Sequence, residues 1–383
     1  NYTIKTAKSQ SLRALNIYMI FYADTDVCAY HLEALGITPV RDFEEFLVTP
    51  GPKRALFHIP FPWKNGYGHL FIGRVERAYT VCDQIIILCS ELHNATHEFI
   101  KSWDRPKVSF FLSGYLNRKS THSPIGQWQD WFIRTVGCYR NNDFLSQLSP
   151  YTPKPKYFDV LLGQPRLHRD VIHASIREHG MADDVIMTYM RDFTQGLYDH
   201  DFNAISLQSR PNTEWSWGVT GLAVPEDNMH FTIESISYQG QTMSLSQLIP
   251  FDIYNQTAYT IVSETNYMNS FTFYTEKTVK PILAERLFIG VCGQHYLRNL
   301  HNAGFKTFDG IIDESYDEEP DVARRYAMVA EQMRYLISQP QEEILAQVRP
   351  IAEYNKQLMM EHDWLGDFHK NLAGQISGLN NCI

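Results

Sequence analysis

Two groups of charged residues follow apolar segments in the second half of the chain, and each could bind an anion. In the first group, an apolar run at 259–263 ends in Glu264. After a polar loop, Thr275, Glu276 and Lys277 open an amphipathic segment typical of a helix. The carboxylates could accept hydrogen bonds from ribose or sugar hydroxyls, and the Lys277 ammonium, beside a helix N-terminus, could neutralise a diphosphate. The alternatives are a surface ion pair and, for Glu264, a structural acceptor of loop N–H groups.

The second group follows another apolar run, at the point where a helix is predicted to begin. Gly163 permits a tight turn close to a ligand. Arg166 and Arg169 are one helical turn apart and could hold one anion between their planar guanidinium groups. His168 could donate a hydrogen bond to a phosphate or a hydroxyl. The alternative is an exposed helix start in which Asp170 pairs with Arg166, although two positive charges at a helix N-terminus oppose the helix dipole.

A third apolar run ends at Gly293 and is followed by His295 and Tyr296. These two side chains could contact a base or a sugar, or could only pack the loop, and both interpretations stay open. Acidic residues are frequent at 313–321, but they are consecutive and lack the spacing of a calcium-binding loop. We interpret this segment as a solvated loop and helix start, and we predict no metal site.

The elements that must position these groups alternate between strands and helices. Strands are predicted at 15–21, 54–59, 83–89, 107–112, 157–162, 185–190, 259–263 and 287–292. The C-terminal part is predicted to be helical at 321–338 and at 341–369, with a break near Pro350. Such alternation indicates an α/β fold. The proline-rich segment 149–156 predicts a linker between two domains.

The motif Ser263-Glu264-Thr265, followed by Tyr274-Thr275-Glu276-Lys277, resembles the donor-binding motif of glycosyltransferases of the α-1,3-fucosyltransferase type. In that family, Glu-Asn-Ser precedes a Tyr-Ile-Thr-Glu-Lys box that opens a helix. Here Thr265 replaces the usual Asn, and the loop is somewhat longer. The stretch also resembles glycosyltransferase-like proteins of viruses and bacteriophages. The similarity covers 259–317 well and extends little into the first half of the chain.

This resemblance implies a GT-B-like architecture, with two Rossmann-like domains and C-terminal helices. It predicts an acceptor-side domain at 1–150, a nucleotide-sugar-binding domain at 151–340 and helices at 341–383 that cross back to the first domain. It also implies transfer of a sugar from a nucleotide diphosphate sugar to a hydroxyl group of a glycan or small acceptor, with no metal or other cofactor. Arg166 or Arg169 would then contact the donor diphosphate.

An inverting transferase needs a general base at the acceptor hydroxyl, and the resemblance implies that this base belongs to the first domain. Four candidates lie just past predicted strands: Asp24, Asp26, Glu91 and His93. The segment Asp24-Thr25-Asp26 has the spacing of a metal-binding DxD motif, but we interpret it as part of the acceptor side. A retaining mechanism, in which the donor phosphate assists, stays open.

Composition constrains the partners. The chain has 383 residues, enough for two domains, and its formal net charge of −9 argues against a broadly basic surface for nucleic acid. No apolar run approaches the ~20 residues of a membrane span, and the first residues lack the apolar core of a signal peptide. We therefore expect a cytoplasmic protein, in the host cytoplasm if it is viral, that binds no membrane. The six cysteines lack zinc-site spacing and are expected to be reduced and buried.

Two alternative functions are compatible with these patterns. The first is a bacteriophage-type enzyme that glycosylates hydroxymethylated bases of DNA, for which Trp63, Lys64, Arg118 and Lys119 could form a basic groove. The second is a nucleotide-binding module without catalysis, against which the intact arginine pair and Glu-Lys box argue. The predicted ligands are therefore a nucleotide sugar and a glycan or small hydroxylated acceptor, with DNA as the alternative acceptor.

Overall fold

The computed structural model describes residues 19–59, 67–117, 119–140, 143–163, 166–189, 235–238 and 241–377. The chain forms two compact units. The first unit contains the described residues up to Asp130 and from Asp363 onward, and the second contains those from Trp131 to His362. Each unit has its own parallel sheet, and this confirms the expected α/β class.

The division between the units differs from the boundary that we expected near residue 150. The proline-rich segment 149–156 lies inside the second unit, because hydrogen bonds tie its first residue and a residue before it to the rest of that unit. The Tyr139 hydroxyl donates to the Gln247 carbonyl at 2.8 Å, and the Ser149 N–H donates to Asn255 Oδ1 at 2.7 Å. The chain therefore enters the second unit before the proline-rich segment begins.

Among the described residues, the first unit contains six strands and five complete helices, one of which is the C-terminal helix, and a further helix begins at Asp130. The strands are β1 (Ile20–Ala23), β2 (Lys53–Ile59), β3 (Gln84–Cys89), β4 (Val108–Leu112), β5 (Gly114–Leu116) and β6 (Ile125–Gln127). The helices are α1 (Asp26–Ala34), α2 (Phe43–Val48), α3 (Tyr67–Val81), α4 (Asn94–Ser102) and α5 (Asp130–Gly137). All the strands except β5 form a parallel sheet in the order β1-β2-β3-β4-β6. Strands β3 and β4 are buried almost throughout, which explains their continuous apolar sequences.

The strand order of the first unit reverses at β1. Tyr22 of β1 pairs with Ala55 of β2 and forms a parallel bridge with Val40 on its other side. The chain therefore leaves β1 through α1 toward Val40 and then crosses to β2. In open α/β sheets such a reversal creates a crevice at the carboxyl ends of the strands, and Asp24 immediately follows β1 at this point.

The second unit contains seven strands and six complete helices in the part of the chain that is described. The strands are β7 (Lys156–Leu162), β8 (Val185–Tyr189), β9 (Ser235–Tyr238), β10 (Gln241–Ser244), β11 (Thr257–Ser263), β12 (Phe271–Phe273) and β13 (Phe288–Val291). The helices are α6 (Leu167–Glu178), α7 (Phe251–Tyr254), α8 (Glu276–Leu283), α9 (Tyr296–Asn302), α10 (Val322–Ser338) and α11 (Gln341–Glu361). Four strands form a parallel sheet in the order β13-β11-β7-β8. Because β7 lies between β8 and β11, this sheet also reverses its order, at the carboxyl ends of β7 and β11.

A buried ion pair links three strands of the second sheet. Arg286, just before β13, donates from Nη2 to Asp159 Oδ1 of β7 at 2.8 Å. Thr257 and Thr260 of β11, between these strands, donate to the same carboxylate oxygen at 3.1 and 2.9 Å. Arg286 also donates to the backbone carbonyls of Tyr254 and Thr257. Asp159 Oδ1 is therefore both paired and hydrogen-bonded, whereas Oδ2 has no partner among the described residues, and burial raises the pKa of Asp159 although Arg286 opposes the shift.

The C-terminal helices differ from the prediction of one segment broken near Pro350. Helix α11 continues through Pro350, because Pro350 and Ala346 are exposed and the Ala346 carbonyl, which loses its helical partner, can be hydrated. The break falls instead at His362, whose backbone is extended. The next helix, α12 (Trp364–Ser377), belongs to the first unit. There the Phe368 ring packs edge-on against Phe111, with 5.3 Å between centroids.

Two expectations from composition concern the cysteines, which were expected to be buried, and membrane-spanning segments, of which none was expected. The cysteines that the structure describes are all buried: Cys28, Cys82, Cys89, Cys138 and Cys292. Among the described helices, none combines the length and the apolar character needed to cross a membrane. The strand predicted at 15–21 corresponds to β1, which begins at Ile20, and residues 15–18 lie outside the described part.

Candidate functional site

The two predicted anion-binding groups meet at the reversal point of the second sheet. Gly163 follows β7 and precedes α6, whereas Glu264 follows β11 and precedes α8. The neighbouring strands β7 and β11 are parallel, so their carboxyl ends lie at the same edge. His168 of α6 donates from Nε2 to the Glu264 carbonyl at 2.8 Å, which joins the two turns directly. This edge is where α/β sheets bind ligands, and it therefore forms the candidate site.

The Glu264 carboxylate holds the start of α8 in place through hydrogen bonds. It is completely buried and accepts hydrogen bonds from the Thr275 N–H at 2.8 Å, the Thr275 hydroxyl at 2.6 Å and the Thr278 hydroxyl at 2.5 Å. The Thr265 N–H donates to the same group at 3.3 Å. Both oxygens are thus bonded inside the protein. This geometry favours the structural interpretation of Glu264, as an acceptor that positions the helix, over direct contact with a ligand hydroxyl.

Arg169 lies beneath the edge of the sheet and faces the backbone. Its guanidinium donates from Nε to the Ser263 hydroxyl at 3.2 Å and from Nη2 to the Ser263 and Glu264 carbonyls at 3.4 and 3.5 Å. A Cβ atom on Gly163 would lie 3.1 Å from Arg169 Nη1, so a larger residue would force the guanidinium to shift slightly. Arg169 therefore joins the turn after β7 to the end of β11.

His168 is neutral and lies among the positive charges of the site. Burial, followed by the charge of Arg169, lowers the pKa of His168 well below its ordinary value of 6.5, and the charges of Arg166 and Lys277 lower it further. Because Nε2 carries the proton that is donated to Glu264, Nδ1 is an acceptor, and it has no hydrogen-bond partner among the described residues.

Arg166 is positioned differently from Arg169. It is the N-cap residue of α6, with an extended backbone, and its side chain does not cap the helix. It is only partly buried, and its Nε atom has no hydrogen-bond partner in the part of the chain that the structure describes. Of the two arginines that the sequence proposed for an anion, Arg166 is the one whose donors are less committed to the protein.

Glu276 and Lys277 form an ion pair at the first turn of α8. Lys277 Nζ lies 2.7 Å from Glu276 Oε1 and 3.3 Å from the hydroxyl of Thr275, which is the N-cap residue. The Lys277 side chain is one quarter exposed, whereas Glu276 is nearly buried. Burial by itself raises the pKa of Glu276, but Lys277 and Lys280 outweigh it and hold the pKa below its usual range. The site therefore presents an ionised carboxylate and an accessible ammonium together.

His295 and Tyr296 lie at the end of β13 and point to different neighbours. The Tyr296 hydroxyl is 2.6 Å from the Thr278 hydroxyl, so Tyr296 extends the hydrogen-bond network that holds α8. The His295 N–H donates to the Asp317 carbonyl at 2.8 Å, and its side chain faces Glu318. Sequence patterns alone did not indicate the network around Thr278, because Glu264, Thr278 and Tyr296 are separated along the chain.

The candidate bases of the first unit have contrasting environments. The Asp24 side chain is fully buried, with Arg74 Nη1 at 2.8 Å and the Tyr22 hydroxyl at 3.3 Å. Burial raises the pKa of Asp24 although Arg74 opposes this shift. Asp26 is almost fully exposed and pairs with Arg41. The Asp24 carboxylate is therefore enclosed by protein groups, whereas the Asp26 carboxylate lies on the surface.

Glu91 and His93 form a pair after β3. Their Oε2 and Nε2 atoms are 2.7 Å apart, and both side chains are mostly buried. A second pair, which the sequence analysis missed, lies at the same edge: His58 Nε2 is 2.7 Å from the Ser90 hydroxyl. His58 occupies a buried strand position in β2, and a histidine in an otherwise apolar run was the pattern that could have indicated it.

The basic groove predicted for DNA depends mostly on residues that the structure does not describe. Trp63, Lys64 and Arg118 lie outside the described residues, and Lys119 is exposed. Comparison with family models, curated proteins and solved structures finds no match to this chain. Function is therefore inferred from the site and from the motif resemblance.

Proposed function

We propose that this chain is a glycosyltransferase that transfers a sugar from a nucleotide diphosphate sugar to a hydroxyl group of a glycan or small acceptor. One observation carries the proposal. The turn from Gly163 to Arg169 and the helix start Thr275-Glu276-Lys277 lie together at the reversal point of the second sheet. The motif at this helix start is also the one that resembles fucosyltransferase-type enzymes. A GT-B-like arrangement, with donor and acceptor on separate Rossmann-like units, is part of the proposal.

The proposed donor contacts follow from which side chains are still able to bond. Arg166 and Lys277 bind the diphosphate, because their donors are less committed to the protein than those of Arg169. Glu276 accepts hydrogen bonds from ribose or sugar hydroxyls as an ionised carboxylate. Arg169 and Glu264 act indirectly by holding the two turns.

The proposed chemistry divides between the units. Stabilising the leaving diphosphate requires positive charge that is already in place, and Arg166 and Lys277 supply it. The proposal takes the base that deprotonates the acceptor hydroxyl from the first unit, and it prefers the buried Asp24 and the mostly buried Glu91–His93 pair to the exposed Asp26. The proposal assigns no metal to the transfer step and leaves the inverting or retaining outcome to product analysis.

A thermal-shift panel tests the donor site. Nucleoside diphosphates with different bases, and their sugar conjugates, are added to the full chain, and one base series should raise the melting temperature. Arg166→Ala should diminish this rise, whereas Arg177→Ala, at the exposed end of the same helix, should leave it unchanged. Failure of every nucleotide to shift the melting temperature contradicts the donor site, and binding without donor hydrolysis or transfer indicates a non-catalytic module.

The acceptor class is tested by presenting oligosaccharides and DNA with hydroxymethylated bases together with the donor. The formal net charge of −9 removes the long-range attraction that brings proteins to a phosphate backbone, so we expect transfer to oligosaccharides or small hydroxylated acceptors. The measurement is the mass of each acceptor after incubation. A mass increase of one sugar per modified base in the DNA contradicts this preference.

A further inference from the structure

Three potential metal ligands converge beside the carboxyl end of β13. His295 lies four residues past the end of β13 at Val291, and Asp317 and Glu318 belong to the acidic loop that packs beside it. One imidazole nitrogen and one oxygen from each carboxylate all lie within 4.8 Å of one another. In the sequence this loop was interpreted as solvated, because its acidic residues are consecutive. The fold adds a histidine from a different segment.

The contact between His295 and Glu318 is close but is not a hydrogen bond. His295 Nδ1 lies 3.2 Å from Glu318 Oε2, yet this buried nitrogen has no hydrogen-bond partner among the described residues. An ion bound at about 2.1 Å brings its neighbouring ligand atoms to about 3.0–3.4 Å from each other. The separation and the misaligned geometry therefore fit two atoms directed at one ion better than a donor directed at an acceptor.

The third ligand is held rigidly by the backbone. Asp317 Oδ1 accepts from the Leu297 N–H and Oδ2 from the Arg298 N–H, both at 2.9 Å. Each carboxylate oxygen has a second lone pair, so these bonds leave the group able to bind a cation. The loop itself is fixed, because the His295 N–H donates to the Asp317 carbonyl and Gln294 Nε2 donates to the Glu318 carbonyl at 2.7 Å. Hydrogen-bonded supports of this kind orient metal ligands.

We propose that His295, Asp317 and Glu318 bind a divalent first-row transition-metal ion, with Zn²⁺ preferred. The ligand set combines one imidazole nitrogen with two carboxylate oxygens, which suits Zn²⁺ and, more weakly, Mn²⁺, whereas Ca²⁺ and Mg²⁺ favour oxygen-only sites. Three protein ligands leave the remaining positions to water. The ion lies outside the proposed transfer step, so this site and the donor site can be tested separately.

Arg298 supplies an internal test of the proposal. Its Nη1 atom lies 3.5 Å from Glu318 Oε2, where its positive charge competes with a cation. If the cluster binds a metal ion, Arg298→Gln should bind it more tightly than the native chain. If the cluster is only an ion-pair network, removing this charge should have no effect on metal binding.

His295→Gly separates loss of the ligand from loss of the fold. The His295 backbone has a φ of 68°, a left-handed conformation that glycine adopts without strain. The variant should therefore fold at least as stably as the native chain without metal, while it loses the imidazole. Glu318→Gln is a second variant, which removes the charge of a half-exposed ligand. His301→Gln, an exposed histidine of the same helix, is the matched control.

The experiment is calorimetric titration of the chelator-treated full chain with ZnCl₂, followed by MnCl₂, CaCl₂ and MgCl₂. We expect one Zn²⁺ site in the native chain, with affinity reduced about tenfold or more in His295→Gly and Glu318→Gln. Affinity should increase in Arg298→Gln and stay unchanged in His301→Gln. Equal Zn²⁺ affinity of the native chain and His295→Gly, or no Zn²⁺ binding by the native chain, overturns the proposal.

Discussion

At the residue scale, the two arginines after β7 differ in how many of their N–H groups already donate to the protein. The Arg169 guanidinium donates to the Ser263 hydroxyl and to the carbonyls of Ser263 and Glu264, all of which belong to the protein. Arg166 keeps a buried Nε that no described group accepts from. A guanidinium that already donates to backbone carbonyls has few N–H groups left to donate to a phosphate. The arginine nearer to the helix start is therefore the stronger candidate for the donor diphosphate.

Removing the Lys277 ammonium should weaken the binding of the nucleoside diphosphate. Charge-assisted hydrogen bonds contribute roughly 1.5–3 kcal/mol each, so Lys277→Ala should reduce the affinity by about tenfold or more. Calorimetric titration measures the change, and Arg177→Ala removes a comparable charge at the other end of α6 as a control. Unchanged affinity in Lys277→Ala excludes the residue from the donor site.

Glu276 should recognise hydroxyl groups of the donor and should not act as the base. Glu276→Gln keeps the size and one acceptor oxygen, so it should raise the KM for the donor sugar more than it alters the pH dependence of kcat. The measurement is the pH–rate profile of both forms, with the acceptor saturating. Disappearance of the limb that reports a general base would instead assign the base to Glu276.

At the element scale, one buried carboxylate determines where α8 begins. Glu264 accepts two bonds from Thr275 and one from Thr278, and Thr278 in turn contacts the Tyr296 hydroxyl. The chain thereby ties the end of β11 to the first turn of α8 and to the start of α9. Glu276 and Lys277 belong to this first turn. Their positions therefore depend on Glu264, although both oxygens of Glu264 bond to protein groups and not to a ligand.

Glu264→Gln should destabilise the second unit through this network. The amide replaces one acceptor oxygen by an NH₂ group, which must face either Thr275 or the Thr278 hydroxyl and leaves a buried donor unsatisfied. The expected loss is about 1–3 kcal/mol in the free energy of unfolding. Urea denaturation measures it, with the exposed Glu178→Gln as control. Equal stability of the two variants contradicts the fastening role.

At the scale of the whole molecule, residues far apart in the chain complete the first unit. His31 of α1 and His369 of α12 are joined by a 3.0 Å contact between Nδ1 and Nε2, and the Phe368 and Trp128 rings pack edge-on against His31. Burial, followed by the neighbouring imidazoles of His369 and His58, lowers the pKa of His31 from 6.5 to about 3. The folded unit therefore keeps this imidazole neutral.

The first unit should lose stability when the pH falls below 6.5. The unfolded chain binds a proton on His31 near its ordinary pKa of 6.5, whereas the folded unit does not, so the contribution is complete above pH 6.5 and declines below it. At pH 5 the loss from this residue is about 2 kcal/mol. His31→Phe keeps an aromatic ring without titrating and should flatten the decline in urea denaturation between pH 7 and pH 5. The exposed His122→Gln should retain the native slope.

Local patterns were sufficient for the fold class and for the positions of most elements. Apolar runs such as 157–162 and 259–263 correspond to β7 and β11, and the helix start at Thr275 was predicted from its side chain, which accepts from the Lys277 N–H in the structure. These features depend on periodicity and on neighbouring residues. The domain boundary could not be predicted in this way, because hydrogen bonds from Tyr139 and Ser149 to a distant segment determine it.

The sequence by itself determined which residue types follow each strand, because runs of apolar side chains and the glycine and proline residues between them act locally. Only the tertiary structure decided which of those side chains form hydrogen bonds to other protein groups and which are left to bind a ligand. Glu264 accepts from residues beyond the next strand, Arg169 donates to the end of β11, and His295 meets Asp317 and Glu318 across a loop. Hydrogen-bond and ligand partners separated along the chain are brought together by the order of strands in the sheet, which local patterns do not encode.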